Sequence, residues 1–236
     1  RNPEVSVPEE QRLVMRDTPW GRMPYLDYRY RLEFDRQQYL RLKQEAEKLE
    51  LAFFASPWDV DSFHFLLDLN LDLVKIASAS LTDLELISSI AIAGIPTIAS
   101  TGMSSLDEID RAYQILSATD LALMHSTSSY PCQLPELNLK VIPRLRQRYG
   151  CPVGYSGHEV GIPTSVAAVA LGACIIERHF TLDRTLWGSD QAASLEPKGM
   201  ETMVRHIRAV EEALGDGIKR VYESEYSSRD RLRRVK

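Results

Sequence analysis

The sequence predicts an α/β fold of the (β/α)8 (TIM) barrel type, with about six β/α units in this chain. Short apolar runs of strand length alternate with stretches of helical period, and this alternation is typical of a parallel sheet. Polar residues follow nearly every run. A barrel needs functional groups at the carboxyl end of every strand, whereas a doubly wound sheet concentrates them at one switch point.

The six predicted strands share a short apolar run that is bounded by polar residues, glycine or proline. They are residues 51–56, 73–77, 96–100, 121–126, 152–156 and 173–177. The stretches between them carry apolar residues at helical spacing. They include residues 39–49, 109–116, 141–149 and 162–171, and a final helix over 197–214.

Helix-start signals support two of the intervening helices. Thr82 and Ser105 each precede a glutamate by three residues, which predicts a capping box at both positions. The final helix has Pro197 in its first turn and Gly215 just after its end, as the preferences of helix termini require.

Composition limits the class of protein. A chain of 236 residues with 44% hydrophobic content can bury one large core, and a net charge of −5 argues against nucleic acid as the main partner. No apolar run approaches the roughly 20 residues that cross a bilayer. The cysteines are odd in number and lack metal-binding spacing, which favours a reducing cytoplasm. No glycine-rich phosphate loop follows any predicted strand, which excludes the usual nucleotide site.

Two histidines follow consecutive predicted strands. His158 and His179 are separated by a single helix, so a strand-helix-strand unit brings both imidazoles to one edge of the sheet. Such a pair can bind a divalent cation through neutral imidazole nitrogens, with water at the remaining positions. The alternative is that each is a buried polar residue with a structural partner.

Six ordered motifs resemble the sialic acid synthase family. They are residues 73–78 (LVKIAS), 100–103 (STGM), 125–131 (HSTSSYP), 154–158 (GYSGH), 177–183 (ERHFTLD) and 187–197 (WGSDQAASLEP). The resemblance implies a TIM barrel that condenses phosphoenolpyruvate with N-acetylmannosamine, a related 2-acetamido sugar or its 6-phosphate. The products are a nine-carbon keto sugar acid and phosphate. It also implies a homodimer and a divalent cation, commonly Mn²⁺ or Mg²⁺.

The resemblance also implies roles for individual residues. His158 and His179 would bind the metal and, with Asp190, form the catalytic group. Phosphoenolpyruvate carries a phosphate and a carboxylate, so its site needs a cation and many small donors. An isolated serine more often bonds its own loop backbone, but a set at equivalent positions favours binding. The substrate-binding residues implied are Ser56, Lys75, Ser78, Ser100, Thr127, Ser128, Tyr130, Ser156 and Glu177.

The chain also departs from the family pattern. The family begins with a strand carrying a Glu-Ile-Gly motif and a second ending in Lys-Phe-Gln, and neither motif occurs here. The six units would then be strands 3 to 8, with residues 1–34 as an irregular excursion and 35–222 as a partial barrel. Residues 223–236 would begin the linker to a C-terminal antifreeze-like domain. We therefore expect a fragment of a longer synthase that is inactive alone.

Two other functions remain open at this point. The chain could be a non-catalytic remnant that binds anionic metabolites through the same hydroxyl groups. It could also be a barrel aldolase that uses Lys75 as a Schiff-base lysine, which needs a lowered pKa in an apolar site.

Overall fold

Helices and strands alternate along most of the chain in this computed structural model, which describes residues 1–235. The strands are β1 (Met15–Thr18), β2 (Gly21–Pro24), β3 (Val74–Ile76), β4 (Thr97–Ser100), β5 (Leu121–Ser126), β6 (Val153–Gly157) and β7 (Ile176–Arg178). The helices are α1 (Pro3–Ser6), α2 (Glu9–Arg12), α3 (Tyr25–Leu32), α4 (Arg36–Lys48), α5 (Val60–Asp68), α6 (Leu84–Ala93), α7 (Leu106–Leu116), α8 (Val141–Tyr149), α9 (Pro163–Ala170), α10 (Pro197–Leu214) and α11 (Tyr226–Leu232).

Strands β3 to β7 form one parallel sheet in which spatial order follows chain order. A doubly wound sheet reverses its strand order at a switch point, and this sheet does not. Sequential parallel strands, each joined to the next by a helix, are the arrangement of a (β/α)8 barrel. The predicted fold class is therefore confirmed, as part of a barrel.

The first predicted strand, residues 51–56, is reduced to one bridge. Ala55 pairs with Val74, and a single backbone hydrogen bond of 3.2 Å joins the Lys75 amide to the Ala55 carbonyl. Leu51 is 60% exposed. This segment lies at the edge of the sheet, where β3 is its one strand neighbour among the described residues, so pairing is not extended into a full strand.

Most of the predicted helix boundaries are confirmed. The Ser105 capping box with Glu108 is present, and α10 begins and ends where the proline and glycine signals place it. The prediction of a capping box at Thr82 is wrong. Asp83 caps α6 instead, because its carboxylate lies three residues before Leu86 and accepts from that amide at 3.1 Å.

The N-terminal segment contains regular structure where an irregular excursion was expected. Residues 1–34 hold the antiparallel hairpin β1–β2 and the helices α1 to α3. At the other end, α11 lies in the predicted linker 223–236, whose residue 236 is outside the described residues. The division at 35 and 222 stays a prediction.

Among residues 1–235, none of the helices combines the length and apolar composition that a bilayer crossing requires.

The main core lies between the sheet and the helices that follow its strands. Apolar residues of strands and helices meet there and are almost fully buried, which provides the main stabilisation of the fold. They include Phe63, Ile76, Leu86, Ile90, Ile109, Leu116, Leu123, Ile142, Leu145 and Tyr155.

A buried ion pair joins the end of β7 to the loop after β6. Arg178 Nη1 lies 3.2 Å from Glu159 Oε1, and both side chains are fully buried. Glu159 also accepts a hydrogen bond from Tyr155 at 2.8 Å, and Arg178 donates to Ser165 at 3.0 Å and to the Gly161 carbonyl at 2.6 Å. These added bonds offset much of the free-energy cost of burying the two charges, while Arg178 Nε has no partner among the described residues.

We expect Arg178→Met to lower the free energy of unfolding by about 3–5 kcal/mol, because it leaves the Glu159 carboxylate buried without a counter-charge. Urea denaturation followed by circular dichroism measures the change. Arg208→Met is the matched control, because Arg208 pairs with Glu211 on the exposed surface of α10. Equal unfolding midpoints for the two variants would contradict the structural role of the ion pair.

Candidate active site

The carboxyl ends of the parallel strands open into a cleft of about 800 Å³. Parallel strands end at a common edge, so residues at the ends of successive strands converge there. The predicted residues that line this cleft are Ser56, Lys75, Ser78, Ser100, Ser128, Tyr130, Ser156, His158, Glu177, His179 and Asp190. The structure thus brings together residues that are up to 134 positions apart, from Ser56 to Asp190.

Thr127 is the predicted site residue that does not line the cleft. Its hydroxyl donates to the Glu136 carbonyl at 3.0 Å, and its side chain lines a neighbouring cavity. Its carbonyl accepts a hydrogen bond of 2.9 Å from His158 Nδ1. Thr127 therefore contacts the site through its backbone, because the loop turns its side chain outward.

The two histidines lie side by side, with ring centroids 5.3 Å apart. The Tyr130 ring packs against both, at 4.3 Å from His158 and 5.6 Å from His179. Because the Thr127 carbonyl can only accept, it assigns the proton of neutral His158 to Nδ1 and leaves Nε2 as a lone-pair donor. Burial lowers the pKa of His158, which favours this neutral form.

The carboxylate of Asp190 adjoins the histidine pair. Asp190 Oδ2 lies 3.8 Å from His179 Nδ1. Among residues 1–235, however, no group of three or more His, Cys, Asp or Glu side chains is placed to hold a metal ion by itself. A cation at His158 and His179 would therefore take water or substrate oxygens as its further ligands.

A second charged group lies on the floor of the cleft. Lys75 Nζ is 3.3 Å from Glu177 Oε1, and Ser156 donates to the same oxygen at 2.8 Å. The Glu177 carboxylate holds the ammonium group of Lys75 in place. The Lys75 side chain is 13% exposed and lines the cleft, so a bound ligand can still reach it. This arrangement suits the binding of an anion.

Two of the serines have hydroxyl groups without a partner among the described residues. The buried oxygens are Ser100 Oγ and Ser128 Oγ. The Gly102 amide donates to Ser78 Oγ at 3.0 Å, and a Cβ at Gly102 would overlap both Ser128 Oγ and Ser78 Oγ. Buried polar atoms are almost always satisfied, so these hydroxyls are suited to bind ligand or water.

Several residues of the cleft were missed by the sequence analysis. Arg1, Tyr25, Arg29, Trp58 and Met103 also line it. Arg1 and Arg29 both line the cleft, and the pKa of the Arg1 guanidinium is lowered by burial and by the charge of Arg29. Residues 25–31 are rich in aromatic and basic side chains, and this composition could have indicated a ligand-binding segment. The sequence pattern does not reveal, however, which edge of the sheet such a segment covers.

Comparisons with known proteins agree with this geometry. The NeuB family profile matches residues 2–219. The chain is 40% identical over 200 residues to the N,N'-diacetyllegionaminic acid synthase of Campylobacter jejuni, covering 83% of this chain and 60% of that protein. It is 39% identical over 216 residues to the human N-acetylneuraminate-9-phosphate synthase, covering 90% of this chain and 60% of that protein.

A solved structure supports the same family relationship. A crystal structure of N-acetylneuraminic acid synthetase from Leptospira borgpetersenii, in complex with citrate, superimposes with a TM-score of 0.81 at 35% identity. The match covers 89% of this chain and 75% of that one. The chain spans about 60% of the length of the curated relatives it matches. The resemblance seen in the sequence is confirmed: the chain belongs to the NeuB family of sialic acid synthases.

Proposed function

We propose that this chain carries the substrate-binding edge of a synthase that condenses phosphoenolpyruvate with an amino sugar. The acceptor is N-acetylmannosamine, a related 2-acetamido sugar or its 6-phosphate, and the products are a nine-carbon keto sugar acid and phosphate. The observation that carries the proposal is the convergence on one cleft of every predicted site residue except Thr127. We also propose that the protein is a cytoplasmic homodimer.

Phosphoenolpyruvate fits the polar floor of the cleft. Its phosphate and carboxylate need positive charge and short hydroxyl donors. Lys75 supplies the charge, and the unpartnered hydroxyls of Ser100 and Ser128 supply donors at the same edge. Glu177 holds the ammonium group of Lys75 toward this floor.

The donor set at the histidine pair fits a divalent cation such as Mn²⁺ or Mg²⁺. His158 presents Nε2 in its neutral form, His179 lies beside it, and the carboxylate of Asp190 is close to His179. When bound, the cation supplies Lewis-acid polarisation of a carbonyl oxygen. His158 and His179 would hold it, and Asp190 and Tyr130 would orient the sugar.

The remaining residues position the two reactants for bond formation. In the proposed reaction the C2=C3 electron pair of phosphoenolpyruvate forms a bond to the aldehyde carbon of the open-chain sugar, and water adds at C2. The C2–O bond to phosphate then breaks as C2 becomes a ketone, and the two protons of the water go to the aldehyde oxygen and to the departing phosphate. Lys75 and the serines bind the phosphate as its charge increases on departure. Tyr130 packs on both imidazoles and would form the side of the cleft against which the sugar lies.

We expect Lys75→Met to weaken phosphoenolpyruvate binding by roughly ten- to a hundredfold, the range for loss of a charged hydrogen bond. Isothermal titration of phosphoenolpyruvate into the folded chain measures it. Lys198→Met is the matched control, because Lys198 is exposed on α10 and pairs with Glu201. Unchanged affinity in Lys75→Met would contradict the proposed binding site.

The same variant distinguishes the Schiff-base alternative. Lys75 has a carboxylate neighbour, whereas Schiff-base lysines are activated by an apolar pocket or a nearby cation. Borohydride reduction in the presence of pyruvate is therefore expected to leave the mass of the wild-type chain unchanged. A mass increase that is lost in Lys75→Met would favour the aldolase.

We expect His158→Ala and His179→Ala each to reduce Mn²⁺ affinity by more than tenfold, since each removes one of two protein nitrogen ligands. Electron paramagnetic resonance of free Mn²⁺ measures the bound fraction. His206→Ala, an exposed position on α10, is the control. Wild-type affinity in both variants would refute the metal site.

A further inference from the structure

A second cleft of about 1060 Å³ adjoins the active site, between the N-terminal hairpin and the loop after β7. We call it the aromatic chamber, defined by Trp20, Tyr25, Tyr28 and Trp187. Tyr28 lies within ring contact of the other three, at centroid distances of 5.6 Å to Trp187, 6.2 Å to Tyr25 and 6.4 Å to Trp20. Trp20 and Trp187 are half exposed, so their rings are accessible to a ligand.

The aromatic chamber is continuous with the active-site cleft. Tyr25, Arg29 and Asp190 line both spaces. Asp190 is also the residue whose carboxylate lies 3.8 Å from His179. A linear molecule with one end at the histidine pair would therefore pass Asp190 and enter the chamber with its other end.

Arg29 lies where the chamber meets the active-site cleft, and its guanidinium group has hydrogen-bond donors available for a ligand. Its side chain is 15% exposed, and within the described part of the chain it forms an ion pair with Glu33 alone, at 3.5 Å. Arg29 Nε is buried without a hydrogen-bond partner among residues 1–235. Guanidinium groups are suited to bidentate binding of phosphoryl oxygens, and Arg16, whose guanidinium lies 5.0 Å from the Tyr25 ring centroid, adds positive charge to the same chamber.

We propose that the aromatic chamber is a subsite for the end of the acceptor sugar distant from its aldehyde, and that Arg29 binds a phosphoryl group on that end. The inference rests on the proposed function and names its acceptor class as a phosphorylated amino sugar. Aromatic rings contact the apolar faces of the sugar chain, while Asp17 and Asp190 accept hydrogen bonds from its hydroxyl groups.

The phosphate of phosphoenolpyruvate is the other possible source of this group. Lys75 and the unpartnered hydroxyls of Ser100 and Ser128 line the active-site cleft, and among the described residues these three do not line the chamber. The donors for phosphoenolpyruvate thus lie on the sheet side of the cleft, whereas Arg29 lies at the junction of the cleft with the chamber. Because Lys75, Ser100 and Ser128 do not reach the chamber and Arg29 does, Arg29 is assigned to the end of the acceptor that enters the chamber.

The test is isothermal titration of three ligands into the whole chain in the presence of Mn²⁺: N-acetylmannosamine, N-acetylmannosamine 6-phosphate and phosphoenolpyruvate. Arg29→Gln is expected to weaken binding of the 6-phosphate by roughly tenfold or more and to leave the other two affinities unchanged. Arg22→Gln, the same change at an exposed position on β2, should alter none of them. Trp187→Ala should weaken both sugars and spare phosphoenolpyruvate.

Three other results would overturn the proposed subsite, and a fourth would overturn the proposed function alone. A loss of phosphoenolpyruvate affinity in Arg29→Gln would assign the residue to that substrate. Equal affinities of Arg29→Gln and Arg22→Gln for the 6-phosphate, or no binding of either sugar to a wild-type chain that binds phosphoenolpyruvate, would remove the subsite. If the wild-type chain binds the 6-phosphate through Arg29 but does not bind phosphoenolpyruvate, the proposed function fails and the subsite stands.

Discussion

The ion pair between Glu159 and Arg178 sets the geometry on which the candidate active site depends. Glu159 directly follows His158, and Arg178 directly precedes His179, so the pair joins the two backbone segments that carry the imidazoles. Arg178 also donates to the Ala193 carbonyl at 3.3 Å, which ties the loop containing Asp190 to the same anchor. A fully buried ion pair tolerates little displacement, because any separation leaves a charge without compensation.

The register of the parallel strands adds a second constraint. Ser126 pairs with Ser156, and Ser156 pairs with Glu177, so polar residues of three neighbouring strands lie at one level of the sheet. A shift of one residue would turn every side chain of a strand to the opposite face. The ion pair at the loops and the register of the strands therefore hold the polar cleft in one arrangement.

The cleft combines two environments with different chemistry. On the sheet side, Lys75 and the buried hydroxyl groups form a polar floor that favours small anions. On the other side, the hairpin and α3 contribute aromatic rings and Arg29, which favour a larger, partly apolar ligand. His158 lines this cleft, and burial lowers its pKa, which favours the neutral imidazole that a nitrogen ligand requires. The two environments thus suit two ligands of different chemistry.

The sequence by itself determined that strands and helices alternate and that residues such as Lys75, His158 and His179 share one edge of a parallel sheet. Those features depend on local periodicity and on the ends of strands, which are visible in short windows of sequence. Only the tertiary structure decided that Thr127 turns its side chain away, that residues 51–56 keep a single bridge, and that Arg29 faces the cleft. These outcomes depend on loop conformation and on contacts between distant segments, which local patterns do not encode.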